Sequence, residues 1–75
     1  YFAEKYNCEV SNIARVRNHN KIIIKEYADK NGVYVDLYGD GNKTYVRNIV
    51  DSVFNTEGKN YKDGNKYNNA TSNLV

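Results

Sequence analysis

The sequence predicts an α+β domain in which a small antiparallel three-stranded meander packs on one helix. Three observations lead to this prediction: two turn dipeptides in the middle of the chain, the alternation of apolar and polar residues around them, and a later change to helical apolar spacing. The chain has 75 residues, of which 40% are hydrophobic. This length is sufficient for one small domain with a thin core, and it excludes large enzyme folds such as Rossmann sheets and TIM barrels.

The meander is predicted from its turns. The dipeptides Asn31-Gly32 and Asp40-Gly41 both tolerate the positive φ angles of a type I′ turn, whose twist matches that of the flanking strands. We therefore expect three strands joined by tight hairpins, over residues 21–28, 33–38 and 43–46.

Alternation within the runs predicts which face of the meander is buried. Val33, Val35 and Leu37 fall on one face of the second run, and Ile22 and Ile24 share a face of the first. The sheet should therefore bury an aliphatic face and expose a mixture of tyrosine, lysine and aspartate.

A short helix is predicted after the meander. Ile49, Val50, Val53 and Phe54 lie on one stripe at helical spacing. The expected helix covers residues 47–55 and docks on the aliphatic face of the sheet, with a glycine three residues beyond its end as a breaker.

The two ends of the chain have weaker patterns. Residues 10–18 are interpreted as a turn into a strand on which Arg15 and Arg17 project to the same side. The polar tail contains a turn at Asp63-Gly64 and a helical start near Asn68. We expect residues 1–56 to form the sheet and helix, and residues 57–75 a second segment of the same compact unit.

Composition restricts the classes of function. The 11 lysines and arginines against 9 acidic residues give a net charge of only +2, so binding to nucleic acid would depend on local placement of basic residues. The sequence has no run of 18 apolar residues, and we expect no membrane partner.

The single cysteine and the single histidine each predict an ordinary structural role. Cys8 cannot form an internal disulfide or a multi-cysteine zinc site, which favours a small apolar filler and a cytoplasmic or other reducing compartment. His19 has no second ligand at metal-binding spacing, so we expect a surface residue in a turn.

One segment resembles a known DNA-binding motif. Residues 6–17, YNCEVSNIARVR, resemble the signature Y-x-V-S-N-x-G-R-V-R of the modular DNA-binding motif attached to HNH homing endonucleases. The similarity continues through residues 29–54, which follow the family pattern of alternating strand residues and a V-x-x-x-V-x-x-A-F helix. The resemblance implies a nucleic-acid-binding sheet.

A second segment is similar to the catalytic core of the same family. Residues 59–74, KNYKDGNKYNNATSNL, are similar to V-N-H-x-D-G-x-x-x-N-N-x-x-x-N-L. Together the two resemblances span almost the whole chain, and they imply that a partial ββα-metal segment follows the sheet and helix.

The second resemblance comes with departures that predict a loss of catalysis. Tyr61 stands where the family has its general-base histidine, and an unperturbed phenol is a poor base at neutral pH. Asn60, at a metal-ligand position, holds a divalent cation less strongly than a carboxylate does. Asn73 matches the residue that orients the base, and the second metal ligand of the family would lie beyond Val75. We expect no cofactor, with magnesium or another divalent metal required only if the chain is an active nuclease.

Basic and aromatic side chains in or beside the predicted sheet form the candidate nucleic-acid surface. Tyr34, Tyr38 and Tyr45 are interleaved with the basic residues, which supply salt-dependent phosphate contacts. A solvated sheet face is the alternative that composition alone leaves open. The candidate basic residues are Arg15, Arg17, Lys21, Lys25, Lys43 and Arg47.

The sequence thus predicts a nucleic-acid-binding protein derived from an HNH homing endonuclease, with DNA rather than RNA as the expected partner, and inactive as a nuclease. Two alternatives remain open at this point. One is a fragment of a metal-dependent HNH endonuclease or nickase. The other is a domesticated structural subunit that binds a protein partner in a nucleoprotein or phage assembly. The expected setting is the cytoplasm of a bacterium or phage-infected cell, or an organelle.

Overall fold

Two small antiparallel sheets and one helix make up the fold. The computed structural model describes residues 1–18 and 20–75, so the predicted surface position of His19 lies outside the described residues. Within the described residues, no helix is long and apolar enough to cross a membrane. The elements are β1 (Phe2–Ala3), β2 (Cys8–Val10), β3 (Val16–Arg17), β4 (Glu26–Asp29), β5 (Gly32–Val35), β6 (Thr44–Tyr45) and α1 (Val46–Phe54).

The first sheet, in the order β1-β2-β3, was not predicted as a sheet. A 3-10 helix at Glu4–Tyr6 joins β1 to β2, and Asn7 follows it in a left-handed conformation with φ 51°. Asparagine adopts this conformation more readily than most residues, which explains the reversal without a glycine. The inner face of the sheet is fully buried through small side chains: Ala3, Cys8, Val10 and Val16. Cys8 is therefore the apolar filler that the sequence predicts.

The second sheet, in the order β4-β5-β6, is the predicted meander. Its first turn differs from the expected type I′ turn. Asp29 pairs with Gly32, so the two-residue loop is Lys30-Asn31, and the only positive φ of the turn is 130° at Gly32. A type I′ turn requires positive φ at both central residues. Instead, the Asp29 carboxylate accepts the Asn31 N–H at 2.8 Å and closes the loop.

The second connection of the meander is a long loop, and the prediction of a tight hairpin there was wrong. β5 ends at Val35 and β6 begins at Thr44. The Asp36 carboxylate accepts the N–H of Asp40 at 3.2 Å and that of Gly41 at 3.1 Å. Because this side chain caps the loop from its first residue, the chain leaves the sheet three residues earlier than predicted.

Helix α1 confirms the predicted helix with a shift of one residue. Val46, Ile49 and Val50 are buried on one stripe, and the helix contacts β1 of the first sheet as well as β5 and β6 of the second. Asn55 ends the helix with φ 56°, and its N–H donates to the Asp51 carbonyl at 3.2 Å. The core therefore lies between the helix and both sheets.

Ile22 lies outside the buried face on which alternation placed it. Its side chain is 61% exposed, because β4 begins only at Glu26. The residues before β4 pair with the first sheet instead: the Asn18 N–H donates to the Ile22 carbonyl at 3.0 Å, and the Ile24 N–H to the Val16 carbonyl at 3.0 Å. This local hairpin sets the direction of the isoleucine side chains.

The tail packs against the rest of the chain. The Thr71 N–H donates to the Asn12 carbonyl at 2.8 Å, and Leu74 is buried in the core. The helical start predicted near Asn68 corresponds to a 3-10 helix at Thr71–Asn73. Segments 1–56 and 57–75 therefore share one core.

Two isoleucines provide a matched test of this core. Ile49 is 0% exposed and Ile22 is 61% exposed. We expect Ile49→Val to lower the free energy of unfolding by about 0.5–1.5 kcal/mol, because it removes a buried methyl group. Ile22→Val should change it by less than about 0.5 kcal/mol. Urea unfolding of the two variants checks this, and equal losses would contradict the placement of α1.

Candidate nucleic-acid interface

The outer face of the first sheet carries a cleft lined by arginines. Strand pairing places Phe2, Glu9 and Arg17 in one row, and Ile23 forms a bridge to Arg17 at the end of that row. A surface cleft of about 250 Å³ opens beside the row. We call it the arginine cleft; it is lined by Tyr1, Glu9, Val10, Ser11, Arg15, Val16, Arg17 and Ile23.

A tight turn places Arg15 at this cleft. The Ser11 N–H donates to the Arg15 carbonyl at 2.9 Å, and the Arg15 N–H donates to the Ser11 hydroxyl at 3.1 Å. Ala14, which precedes Arg15, has φ 64°. This left-handed conformation costs a residue with a Cβ roughly 1–2 kcal/mol and is easy for glycine. Arg15 and Arg17 both line the arginine cleft, and Arg15 also borders a second cleft beside Glu26 and Tyr67.

The two arginines differ in their electrostatic surroundings. The Arg17 guanidinium lies 3.0 Å from a Glu9 carboxylate oxygen, and the hydrogen bond from Arg17 lowers the pKa of Glu9 below its ordinary value. Arg15 is exposed, and within residues 1–18 and 20–75 no acidic group pairs with it. Its charge is therefore available to a ligand.

The outer face of the second sheet is aromatic. Tyr27, Tyr34 and Tyr45 lie opposite one another on three adjacent strands. The Tyr27 and Tyr34 rings stack with centroids 5.6 Å apart, and Tyr45 meets Tyr34 edge-to-face at 5.9 Å. The Lys25 and Lys43 ammonium groups lie 5.3 and 4.8 Å from the ring centroids of Tyr27 and Tyr34. These five residues are the tyrosine face.

Asp29 holds part of the tyrosine face in position. One of its carboxylate oxygens accepts from the Lys43 ammonium group at 2.9 Å and from the Tyr45 hydroxyl at 2.8 Å. These hydrogen bonds, that from Lys43 first, lower the pKa of Asp29 from 3.8 to about 2.

The remaining predicted residues of the basic surface lie in different places. Lys21 is exposed in the loop before Ile22, with φ 64°. Tyr38 is 67% exposed in the long loop, off the sheet, and its hydroxyl donates to the Tyr6 carbonyl at 3.1 Å.

The Arg47 guanidinium has internal partners. It bonds Asp51 at 2.8 Å and the carbonyls of Thr56 and Lys59 at 3.1 and 2.6 Å, and it lies 4.9 Å from the Tyr61 ring centroid. Only 19% of its side chain is exposed. The structure thus gives Arg47 the role of joining the tail to α1.

In the tail, Tyr61 forms a bridge with Leu74, next to Asn73, but the Tyr61 and Asn73 side chains have different hydrogen-bond partners. The Tyr61 hydroxyl donates to the Asn69 side chain at 3.0 Å. The Asn73 amide instead donates to the Asp63 carboxylate at 2.9 Å and to the Asn68 carbonyl at 3.0 Å. Asn73 therefore fixes the turn at Asp63 and makes no hydrogen bond with Tyr61.

The donor set of the tail does not fit a divalent metal. Asn60 pairs through its backbone with Val75, and Asp63 is the only carboxylate side chain in residues 59–75. The two oxygens of Asp63 accept N–H groups from Asn65, Asn68 and Asn73. Among the described residues, no three His, Cys, Asp or Glu side chains come together as a metal site.

Sequence reasoning missed several residues of these surfaces, and three of them illustrate the reason. Strand pairing alone brings Tyr27, Glu9 and Ile23 to these surfaces. Tyr27 lies opposite Tyr34, and both Glu9 and Ile23 lie opposite Arg17. The alternation of Lys25, Tyr27 and Asp29 was an available signal for the tyrosine face. No such signal marked Glu9, since the first sheet itself was not predicted.

Comparison with known proteins adds no assignment. No protein-family model matches the chain, and neither the search of curated proteins nor the search of solved structures finds a similar protein.

The pKa of Asp29 leads to an acid-stability prediction. A carboxyl whose pKa is lowered on folding stabilises the fold above its ordinary pKa of 3.8, and the contribution is lost as pH falls through the folded value of about 2. Wild type should therefore exceed Asp29→Asn in free energy of unfolding at pH 6, and the difference should shrink toward pH 2. Urea unfolding at both pH values measures this; a pH-independent difference would contradict the Lys43 and Tyr45 contacts.

Proposed function

We propose that this chain binds nucleic acid, with DNA as the preferred partner, and that it descends from the DNA-binding part of an HNH homing endonuclease. The proposal depends on one observation: Arg15 and Arg17 line the same surface cleft, and Arg15 has no acidic partner among the described residues. Two guanidinium groups on one side of a strand suit the phosphates of a nucleic-acid backbone.

The placement of charge supports this proposal better than the total charge does. With a net charge of +2, the chain has little long-range attraction for a polyanion. Lys21 adds a third positive charge near the cleft, since its charge contributes to lowering the pKa of Glu9 in the cleft wall. A few phosphate contacts of this kind give binding in the micromolar range that weakens steeply with salt.

The conformation of Ala14 also supports a relation to the DNA-binding motif. The signature V-S-N-x-G-R-V-R has glycine where this chain has Ala14, and the backbone there has φ 64°. Glycine adopts a left-handed conformation without steric cost. A motif that needs this conformation before its two arginines would therefore favour glycine at that position. The turn that places Arg15 is thus compatible with the geometry that such a motif needs.

The proposal includes the loss of nuclease activity. Tyr61 and Asn73 have separate hydrogen-bond partners, and the Asp63 carboxylate is occupied by N–H donors. A base, its orienting partner and a metal would need to converge on one phosphate. Plasmid nicking by the purified chain with magnesium or manganese would overturn this part of the proposal. The proposed setting is a reducing compartment, where the buried thiol of Cys8 stays free.

Single-charge substitutions test the binding surface. We expect Arg15→Ala to weaken binding to a short DNA duplex by roughly 5- to 10-fold at 0.1 M salt, and to reduce the slope of log Kd against log salt by about 0.9, the value for one lost phosphate contact. Fluorescence anisotropy over a salt series measures both quantities.

Lys5→Ala is the matched control, because it also removes one positive charge. Lys5 lines a different cleft, together with Asp51 and Glu57. Its substitution should leave the salt slope unchanged. Equal effects of the two substitutions would indicate only a response to net charge, and salt-independent binding or no binding at micromolar protein would contradict the proposed function.

A further inference from the structure

We propose that the tyrosine face is a second nucleic-acid site, which binds unpaired bases of a single strand by stacking. The inference rests on the proposed function, since it assigns a second class of nucleic acid to a different face of the same chain. Its basis is the row of Tyr27, Tyr34 and Tyr45 on an outward sheet face, with two lysines beside the rings.

The aromatic row is exposed at its Tyr27 end, while Tyr34 and Tyr45 are half-buried. Tyr27 is 44% exposed at the β4 edge of the row, and its ring is nearly parallel to that of Tyr34, with 20° between the ring planes. The Lys25 ammonium group lies over the Tyr27 ring, 5.3 Å from its centroid, on a flexible stem that a planar ring can displace. A base can therefore extend the existing stack of two tyrosines.

A cleft beside the row has the size for one flat ring. It measures about 200 Å³ and is bordered by Tyr27, Tyr34, Asp36, Asn42 and Lys43. This volume is below that of sites for drug-sized molecules, and its mouth is open. Amide and ammonium groups at its rim can form hydrogen bonds with the edge of a base.

The acidic residues of this face are already engaged. The Asp29 carboxylate accepts from Lys43 and Tyr45, and that of Asp36 accepts two backbone N–H groups of the long loop. Both are thus compensated by donors, whereas Lys25 has no acidic partner within residues 1–18 and 20–75. Lys25 is the group that would contact a phosphate next to a stacked base.

The geometry favours a single strand over a duplex. In a duplex the faces of the bases are covered by their neighbours, and a row of aromatic rings has nothing on which to stack. In a single strand the bases are free, and an aromatic platform with flanking cations binds them with little sequence preference. The arginine cleft has no such row, so the two faces should discriminate between the two forms.

The experiment compares a 12-nucleotide single strand with its duplex, by fluorescence anisotropy at fixed salt. We expect Tyr27→Ala to weaken single-strand binding roughly 5- to 100-fold, the range for loss of one base stack. Duplex binding should change by less than twofold. Tyr27→Phe, which keeps the ring, should retain single-strand affinity within about twofold.

Tyr38→Ala is the matched control, since it removes an exposed tyrosine that lies off the sheet. It should leave both affinities unchanged. On the wild-type chain, NMR signals of the Tyr27 ring should shift on addition of the single strand, which provides a readout that does not depend on the folding of any variant.

The outcomes distinguish this inference from the proposed function. Salt-dependent duplex binding combined with full single-strand affinity of Tyr27→Ala, and no shift of the Tyr27 ring signals, would overturn the inference alone. Single-strand binding that requires Tyr27 but no duplex binding at the arginine cleft would overturn the proposed duplex site alone. No binding of either form would overturn both.

Discussion

The burial of one helical stripe against two sheets is the interaction on which the rest of the structure depends. Each sheet consists of strands of only two to four residues, and sheets of this size have little independent stability. Ile49 and Val50 of α1 are 0% exposed, and α1 contacts strands of both sheets. Because the inner faces are used in this way, each sheet is left with one outer face in solvent. The arginine cleft lies beside the outer row of the first sheet and also reaches Val10 and Val16, whereas the tyrosine face is the outer face of the second sheet.

The basic residues of the chain are divided in a similar way, into those that join parts of the fold and those that lie on the outer faces. Arg47 bonds Asp51 and two backbone carbonyls, and Lys43 pairs with Asp29, so these cations join parts of the fold. Arg15 and Lys25 lie on the outer faces without acidic partners among the described residues. Exposed ion pairs contribute little stability on average, whereas a guanidinium with three internal acceptors has a defined position. A net charge of +2 therefore understates what the outer faces can offer to an anionic ligand.

Much of the fold could be predicted from the sequence, because local signals agreed with the final packing. The stripe of Ile49 and Val50 located α1 to within one residue. The order of the meander strands followed from the positions of the two glycine turns, although the geometry of both turns and the start of β4 differ from the prediction. The first sheet was missed, since strands of two or three residues have too little alternation to detect. Ile22 was misplaced because it lies in a local hairpin before β4, where the Asn18 N–H donates to its carbonyl, and not in the strand that alternation predicted. For the candidate site, the structure has Arg15 and Arg17, which the sequence predicted to share a surface, lining one cleft. The internal role of Arg47 could not be predicted, since it depends on carbonyl groups 9 and 12 residues away in sequence.

The central claim is that the outer faces of the two sheets bind nucleic acid while the inner faces and the tail hold the fold together. The most direct measurement is a map of backbone amide shifts by NMR as an oligonucleotide is added to the intact chain. The account predicts shifts concentrated at Glu9, Arg17 and Ile23 on the first sheet and at Tyr27 and Tyr34 on the second, with α1 and residues 59–75 unchanged. Shifts confined to α1 and residues 59–75, or no shifts at millimolar oligonucleotide, would contradict it.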